Sequence, residues 1–281
     1  MSFLSTGTTI VLYDGSPFYP DPNAMWNMID ELGITIFGTS AKYIDACKNN
    51  NVTPMAFTKL SSLRSILSTG SPLVDESFDY VYEHVKPSVQ LGSISGGTDL
   101  IPCFALANPA LPVYRGELQC RGLGMHVDAF DENGKSVRNK KGELVCRSPF
   151  PSMPVFFWND NDGEKYRKAY FNKFPGVWAH GDFIEINDHG GLKIFGRSDS
   201  TLNPGGVRIG TAEIYRVVEA FDEVIDSLVI GQEWKGDQRM ILFLKLSESV
   251  SMNDDLTKKL RQSIKSNCSP RHVPELSLIH I

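Results

Sequence analysis

Apolar residues in the first third of the chain switch between short continuous runs and a spacing of every third or fourth position. That switching predicts the fold. The runs Thr8–Leu12, Ile34–Phe37, Leu63–Leu67 and Val89–Ile94 read as strands. Between them, Met25, Met28, Ile29 and Leu32 share one helical face, opened by Asp21-Pro22 as cap and first turn and stopped by Gly33. Ala41–Lys48 is a second helix. Asp75–Val85 is a third, with Phe78, Val81, Tyr82 and Val85 on its apolar side. Strands separated by helices of this length predict a parallel α/β sheet. Met25, Trp26 and Met28 belong to its core.

From about Pro112 the rhythm changes. Glu117–Arg121, Met125–Phe130 and Glu143–Arg147 alternate as short strands, with turns at Asp131–Lys135 and Lys140–Gly142. Asn159–Lys173 has helical character, and Val177–Phe183 places Asp182 as an acid on a tight turn after Gly181. The strand Leu192–Phe195 feeds a turn-rich stretch, Gly196–Glu213. Beyond it Thr211 caps a helix with Ile214, Val217, Val218 and Phe221 on one face. Strands Ser227–Gly231 and Arg239–Leu246 follow, then a helix over Asp254–Ser266. The expected organisation is a parallel-sheet α/β part (1–111), a β-rich, barrel-like part (112–198) and a small α+β unit (199–281), with Ser198–Ser200 as linker.

Composition removes several function classes. The net charge of −5 gives no basic surface for nucleic acid or anionic membrane, and no apolar run is long enough to span a bilayer. Five scattered cysteines without a paired spacing read as reduced core thiols of a cytosolic protein rather than disulfides or zinc ligands. Ser5–Thr8 resembles a phosphate loop only in composition: it precedes a strand and carries no Lys.

Candidate chemistry lies elsewhere. Loops 68–72 and 93–99 follow consecutive strands, at the carboxyl edge where such sheets hold ligands. Either loop alone reads as an ordinary Gly/Ser turn, whereas two together, with Thr98 beside Asp99, favour a phosphate-and-metal site. Arg197 and Arg208 flank glycines that allow close backbone approach, a pattern suited to gripping an anion and equally to a solvated loop. His180 has the chemistry of a general base, but a buried structural histidine is the better reading.

Taken in order and spacing, Gly70-Ser71-Pro72, Ser93-Ile94-Ser95-Gly96-Gly97-Thr98-Asp99, His180-Gly181-Asp182, Gly196-Arg197-Ser198-Asp199 and Gly205-Gly206-Val207-Arg208 resemble the adenylate-forming acyl-CoA synthetase superfamily, and the resemblance reaches about Pro274. Each motif is weak alone; five in series on the expected element types are specific. The resemblance implies an AMP-forming acid–CoA ligase, in which a carboxylate attacks the α-phosphate of ATP and CoA then displaces AMP. It implies that Gly70, Ser71 and Pro72 line the adenine and that Ser93, Ile94, Ser95, Gly96 and Gly97 continue the nucleotide wall. Thr98 would bond the α-phosphate, Asp99 would hold Mg2+, and Asp182 with Arg197 would take the ribose. Arg208 would stabilise phosphate charge, Asp199 would be the hinge of a mobile lid, and Gly205, Gly206 and Arg261 would contact CoA. Acetate-specific relatives carry a bulky Trp where Ser95 and Gly96 leave room for a longer acid such as acetoacetate. The expected small-molecule partners are therefore acetoacetate, ATP and CoA.

The departures are equally specific. Asp99 stands where the family usually has Glu. The family's phosphate loop with its Lys would precede Met1, its adenylation Lys would follow Pro274, and Glu275–Ile281 drifts from the pattern. The expectation is an internal portion of a larger ligase, with an incomplete lid and no ATP–pyrophosphate exchange of its own. Two alternatives stay open: a non-catalytic nucleotide- or CoA-binding module, and an adenylating relative acting on another short or medium-chain acid.

Overall fold

A computed structural model describes residues 2–198, 201–202, 209–234, 237–247 and 250–279. The first part runs α1 (Ala24–Glu31), β1 (Ile36–Ser40), α2 (Ala41–Asn49), β2 (Ser65–Thr69), α3 (Asp75–Tyr80) and β3 (Gln90–Ser93). The three strands pair in parallel in the order β1-β2-β3. Trp26, Ile29, Ile44, Ile66, Phe78 and Leu91 form one core against this sheet. Ser40 caps α2 by accepting from Tyr43 N, and α3 passes into a π-helical turn over Val81–Val85.

The second part contains β4 (Ser95–Gly96), β5 (Cys103–Leu106), β6 (Cys120–Arg121), β7 (Val127–Phe130), β8 (Gly142–Cys146), α4 (Glu164–Tyr170), β9 (Trp178–Ile186) and β10 (Leu192–Arg197). These strands make two open antiparallel sheets, β4-β5-β6 and β10-β9-β8-β7, rather than a closed barrel. Their shared core holds Phe104, Val127, Leu144, Trp178, Ile184 and Leu192. The third part is β11 (Thr201–Leu202), β12 (Ile209–Gly210), α5 (Thr211–Val218), β13 (Val224–Trp234), β14 (Asp237–Leu246), α6 (Asp254–Asn267) and β15 (Leu276–Ile279). Its own core includes Ile209, Ile214, Val218, Leu242, Leu256, Leu260 and Ile264.

Five expectations are corrected. Residues 8–12 form no strand: they line the apolar surface beside edge strand β1 without entering its ladder. The first helix starts at Ala24, because the Asp21 carboxylate accepts from Asn23 N and builds a turn ahead of the helix instead of capping it. Only Glu164–Tyr170 of the 159–173 stretch is helical, since Asp160 spends both carboxylate oxygens on the amides of Lys165 and Tyr166 in the first turn. Thr211 is the first residue of α5 and Gly210 precedes it as cap. Asp182 lies within β9, not on a turn. The linker positions Asp199 and Ser200 lie outside the described residues.

Candidate nucleotide site

The two small-residue loops are neighbours because the strands before them are. Ser68 pairs with Ser93 in the parallel register, and Ile94 N donates to the Ser68 carbonyl at 2.8 Å. Gly70 takes φ +91°, a conformation that suits glycine, while Gly70 and Ser71 are exposed and Pro72 is half-buried. Ser93 is buried at the end of β3. The chain then passes through Ile94 into β4, where a Cβ on Gly96 would stand 2.5 Å from the Pro102 carbonyl oxygen. The smallness of Gly96 thus has a backbone-packing cause in addition to any acyl pocket. Gly97 is pressed on the next wall of the site: its Cβ would lie 2.8 Å from Cε1 of His180. Thr98 and Asp99 follow, both exposed.

That second wall is β9. Its burial alternates, so His180, Asp182, Ile184 and Ile186 share the inward face. Gly181 has φ +83° and β8 and β9 slip register beside it, so the turn signal of Gly181-Asp182 marks an irregularity inside a strand. His180 is a packed histidine, edge-on to Phe104 at 4.8 Å, and its Nδ1 faces the Trp178 indole N–H at 3.4 Å. With Nδ1 accepting, the neutral ring carries its proton on Nε2, which lies 3.8 Å from an Asp182 oxygen. Arg197 pairs with Asp182 across the β9–β10 ladder after a bulge at Ile194/Gly196. Its Nη1 donates to the His180 carbonyl at 3.2 Å and lies 3.7 Å from Asp182 Oδ1.

Three functional neighbours were not anticipated. Tyr170, at the end of α4, stacks on Trp178 at 3.6 Å and donates its hydroxyl to the Asp99 carboxylate. Burial raises its pKa, and the hydrogen bond to Asp99 raises it further. Glu143 on β8 is 2% exposed and accepts from Gly181 N, Ser198 Oγ and Lys173 Nζ. Lys173 follows α4. Glu143 lies on a strand buried at all five positions, and nothing local marked it, Tyr170 or Lys173. These residues border a cleft of about 560 Å³ that includes His180, Gly181, Arg197 and Ser198.

Gly97 lies against His180, Asp99 accepts from Tyr170 and Asp182 lies beside Arg197, so the sequence candidates meet this cleft through the residues that line it. An exposed hydroxyl at Thr98, a buried carboxylate at Asp182 and a guanidinium beside it offer the donors and acceptors a sugar phosphate requires. Arg261 lies on α6, where its guanidinium donates to the Pro274 carbonyl. Gly205, Gly206, Arg208 and Asp199 lie outside the described residues.

The two loops follow neighbouring strands of the parallel sheet, and Gly97 of the second lies against His180 on β9, the strand that carries Asp182 beside Arg197. The family model described as AMP-binding enzyme matches residues 1–154, and the chain belongs to that family. It is 57% identical over 97% of its length to the acetoacetyl-coenzyme A synthetase of Rhizobium meliloti (strain 1021), and 55% identical over 98% to the acetoacetyl-CoA synthetase of Gallus gallus. It spans 42% of each of these relatives. Among solved structures, acetoacetyl-CoA synthetase from Streptomyces lividans superposes with a TM-score of 0.90 at 44% identity, covering 99% of this chain and 43% of that one. An anthranilate CoA ligase superposes at 0.79 with 20% identity over 98% of this chain and 51% of that one, a likeness of fold alone.

Proposed function

We propose that this chain supplies the nucleotide-holding body and part of the lid of an AMP-forming acid–CoA ligase acting on acetoacetate. The observation that carries this reading is the close approach of Gly97 to His180 and of Asp182 to Arg197, at a cleft that His180 and Arg197 line, in a chain 57% identical to an acetoacetyl-coenzyme A synthetase. In this reading residues 1–111 and 112–198 form the body and 199–281 the lid, pivoting at Asp199. Gly70, Ser71 and Pro72, with Ser93 to Gly97, face the base. Asp182 accepts from the ribose hydroxyls with Arg197 beside it, and Thr98 donates to the α-phosphate. Arg208 balances charge as the acid's carboxylate attacks phosphorus and pyrophosphate leaves. Gly205, Gly206 and Arg261 are assigned to the incoming CoA.

Asp99 fits Mg2+, a cation that takes one or two carboxylates and leaves its other positions to phosphate and water oxygens. It is exposed, and Tyr170 bonds one of its oxygens. When bound, the ion would neutralise phosphate charge. Tyr170 meanwhile sets where the Asp99 carboxylate stands. No helix among the described residues is long and apolar enough to cross a membrane, and the cytosol is the compartment we assign.

Titration calorimetry with AMP tests the nucleotide reading. The chain binds AMP, and Asp182→Ala weakens binding by about tenfold or more, the scale of lost hydrogen bonds to a charged acceptor. An Asp182→Ala variant that melts normally and binds AMP equally well would remove Asp182 from the site. Acyl choice is read from ATP–pyrophosphate exchange with acetate, acetoacetate and butyrate, in a polypeptide of the relatives' full length.

A further inference from the structure

Glu143 belongs to none of the roles above, yet it joins two segments that the proposed function uses. One oxygen, Oε1, accepts from Gly181 N at 3.1 Å and from Ser198 Oγ at 2.7 Å, while Oε2 takes the Lys173 ammonium. Ser198 N also donates to the Gly181 carbonyl at 2.7 Å. The segment His180–Asp182 is therefore tied to Arg197–Ser198 by one bridge through the Glu143 carboxylate, by the Arg197 guanidinium on the His180 carbonyl and by one backbone bond. Ser198 directly precedes Asp199, the assigned hinge. A carboxylate with 2% exposure is a rigid anchor, because moving it strips three donors from a group almost shut off from water.

We propose that Glu143 is a positioning residue. Through Gly181 and Ser198 it holds Asp182 and Arg197 in their nucleotide-facing places, and it couples nucleotide binding to the chain entering the hinge. The coupling rests on the nucleotide reading above; the fastening itself does not. Coupling free energy is reciprocal, so loosening the Ser198 end must weaken nucleotide binding as surely as nucleotide steadies that end.

Ser198→Ala tests this without disturbing the buried acid, and Ser198→Thr restores a hydroxyl. Tryptic cleavage after Arg197, followed by mass spectrometry without nucleotide, reads local opening. Ser198→Ala raises its rate by about tenfold, the factor for one hydrogen bond to a charged acceptor. It leaves the melting temperature close to the starting value, and Ser198→Thr returns the rate towards the original. By calorimetry Ser198→Ala lowers AMP affinity several-fold, and Ser198→Thr recovers it. Unchanged cleavage in Ser198→Ala overturns the fastening. Faster cleavage with unaltered AMP affinity overturns the positioning role. A starting protein that binds no AMP overturns the nucleotide reading and the coupling with it, leaving cleavage to judge the fastening.

Discussion

Glu213 illustrates how much one side chain in α5 carries. Its carboxylate receives Lys141 from the loop before β8 and His272 Nε2 at 3.1 Å. Burial pushes its pKa up, but the hydrogen bonds from His272 and Lys141 outweigh burial and hold it at about 2, against an ordinary 4.5. A folded pKa below the unfolded one means stability that is complete above about 4.5 and lost as pH falls towards about 2. Glu213→Gln should therefore melt a few degrees lower near neutrality, and thermal scans should find the gap closing through that acid window. A gap independent of pH would assign the loss to packing. At this scale Asp182 was legible as a chemical group but not as a strand residue, since Gly181 imitates a turn. Glu143 looked like one surface charge among many. Its three donors come from residues 30 to 55 positions away, and no local pattern encodes such a meeting.

Among elements, the passage from β10 to α5 depends on one glycine. Gly196 has φ +97°, and a Cβ there would sit 2.6 Å from the Ala212 Cβ on α5. Gly190 has a similar φ of +88° with open space around it. Substituting alanine at each separates the two causes. Gly190→Ala should cost only the backbone strain, about 1–3 kcal/mol, and Gly196→Ala that strain plus displacement of the helix. Equal losses in denaturant melts would mean that α5 yields freely. The regular elements were legible because apolar periodicity records burial directly: Leu256, Leu260 and Ile264 recur every fourth residue and all are buried. Thr8–Leu12 misled for the same reason, since β-branched residues suit any flat apolar surface and pairing depends on a neighbour the local sequence does not name.

Taken whole, the C-terminal part meets the rest of the molecule through separate clamps. Lys42 of α2 reaches Asp226 at 2.6 Å and Glu219 at 3.7 Å, Lys141 reaches Glu213, and Arg216 donates to the Ile194 carbonyl. Lys42 and Asp226 are exposed, so that pair contributes at most about 1 kcal/mol. Two clamps on one body act as a chelate, each keeping the other's partners close. Lys42→Ala or Lys141→Ala alone should leave the small-angle scattering profile unchanged, and the double variant should broaden its distance distribution. A double variant that scatters like the parent would mean that the Arg216–Ile194 bond and apolar contact suffice to hold the parts together.

The three large cores among the described residues scarcely interleave along the chain. The first is made of residues between Met25 and Leu91, the second between Leu100 and Ile194, and the third between Leu202 and Ile264. A ribosome delivers residues in that order, so the buried side chains named for each core emerge before those of the next. Partners need not wait for a distant segment still to be synthesised, and the nascent chain can bury its apolar surface in three successive instalments.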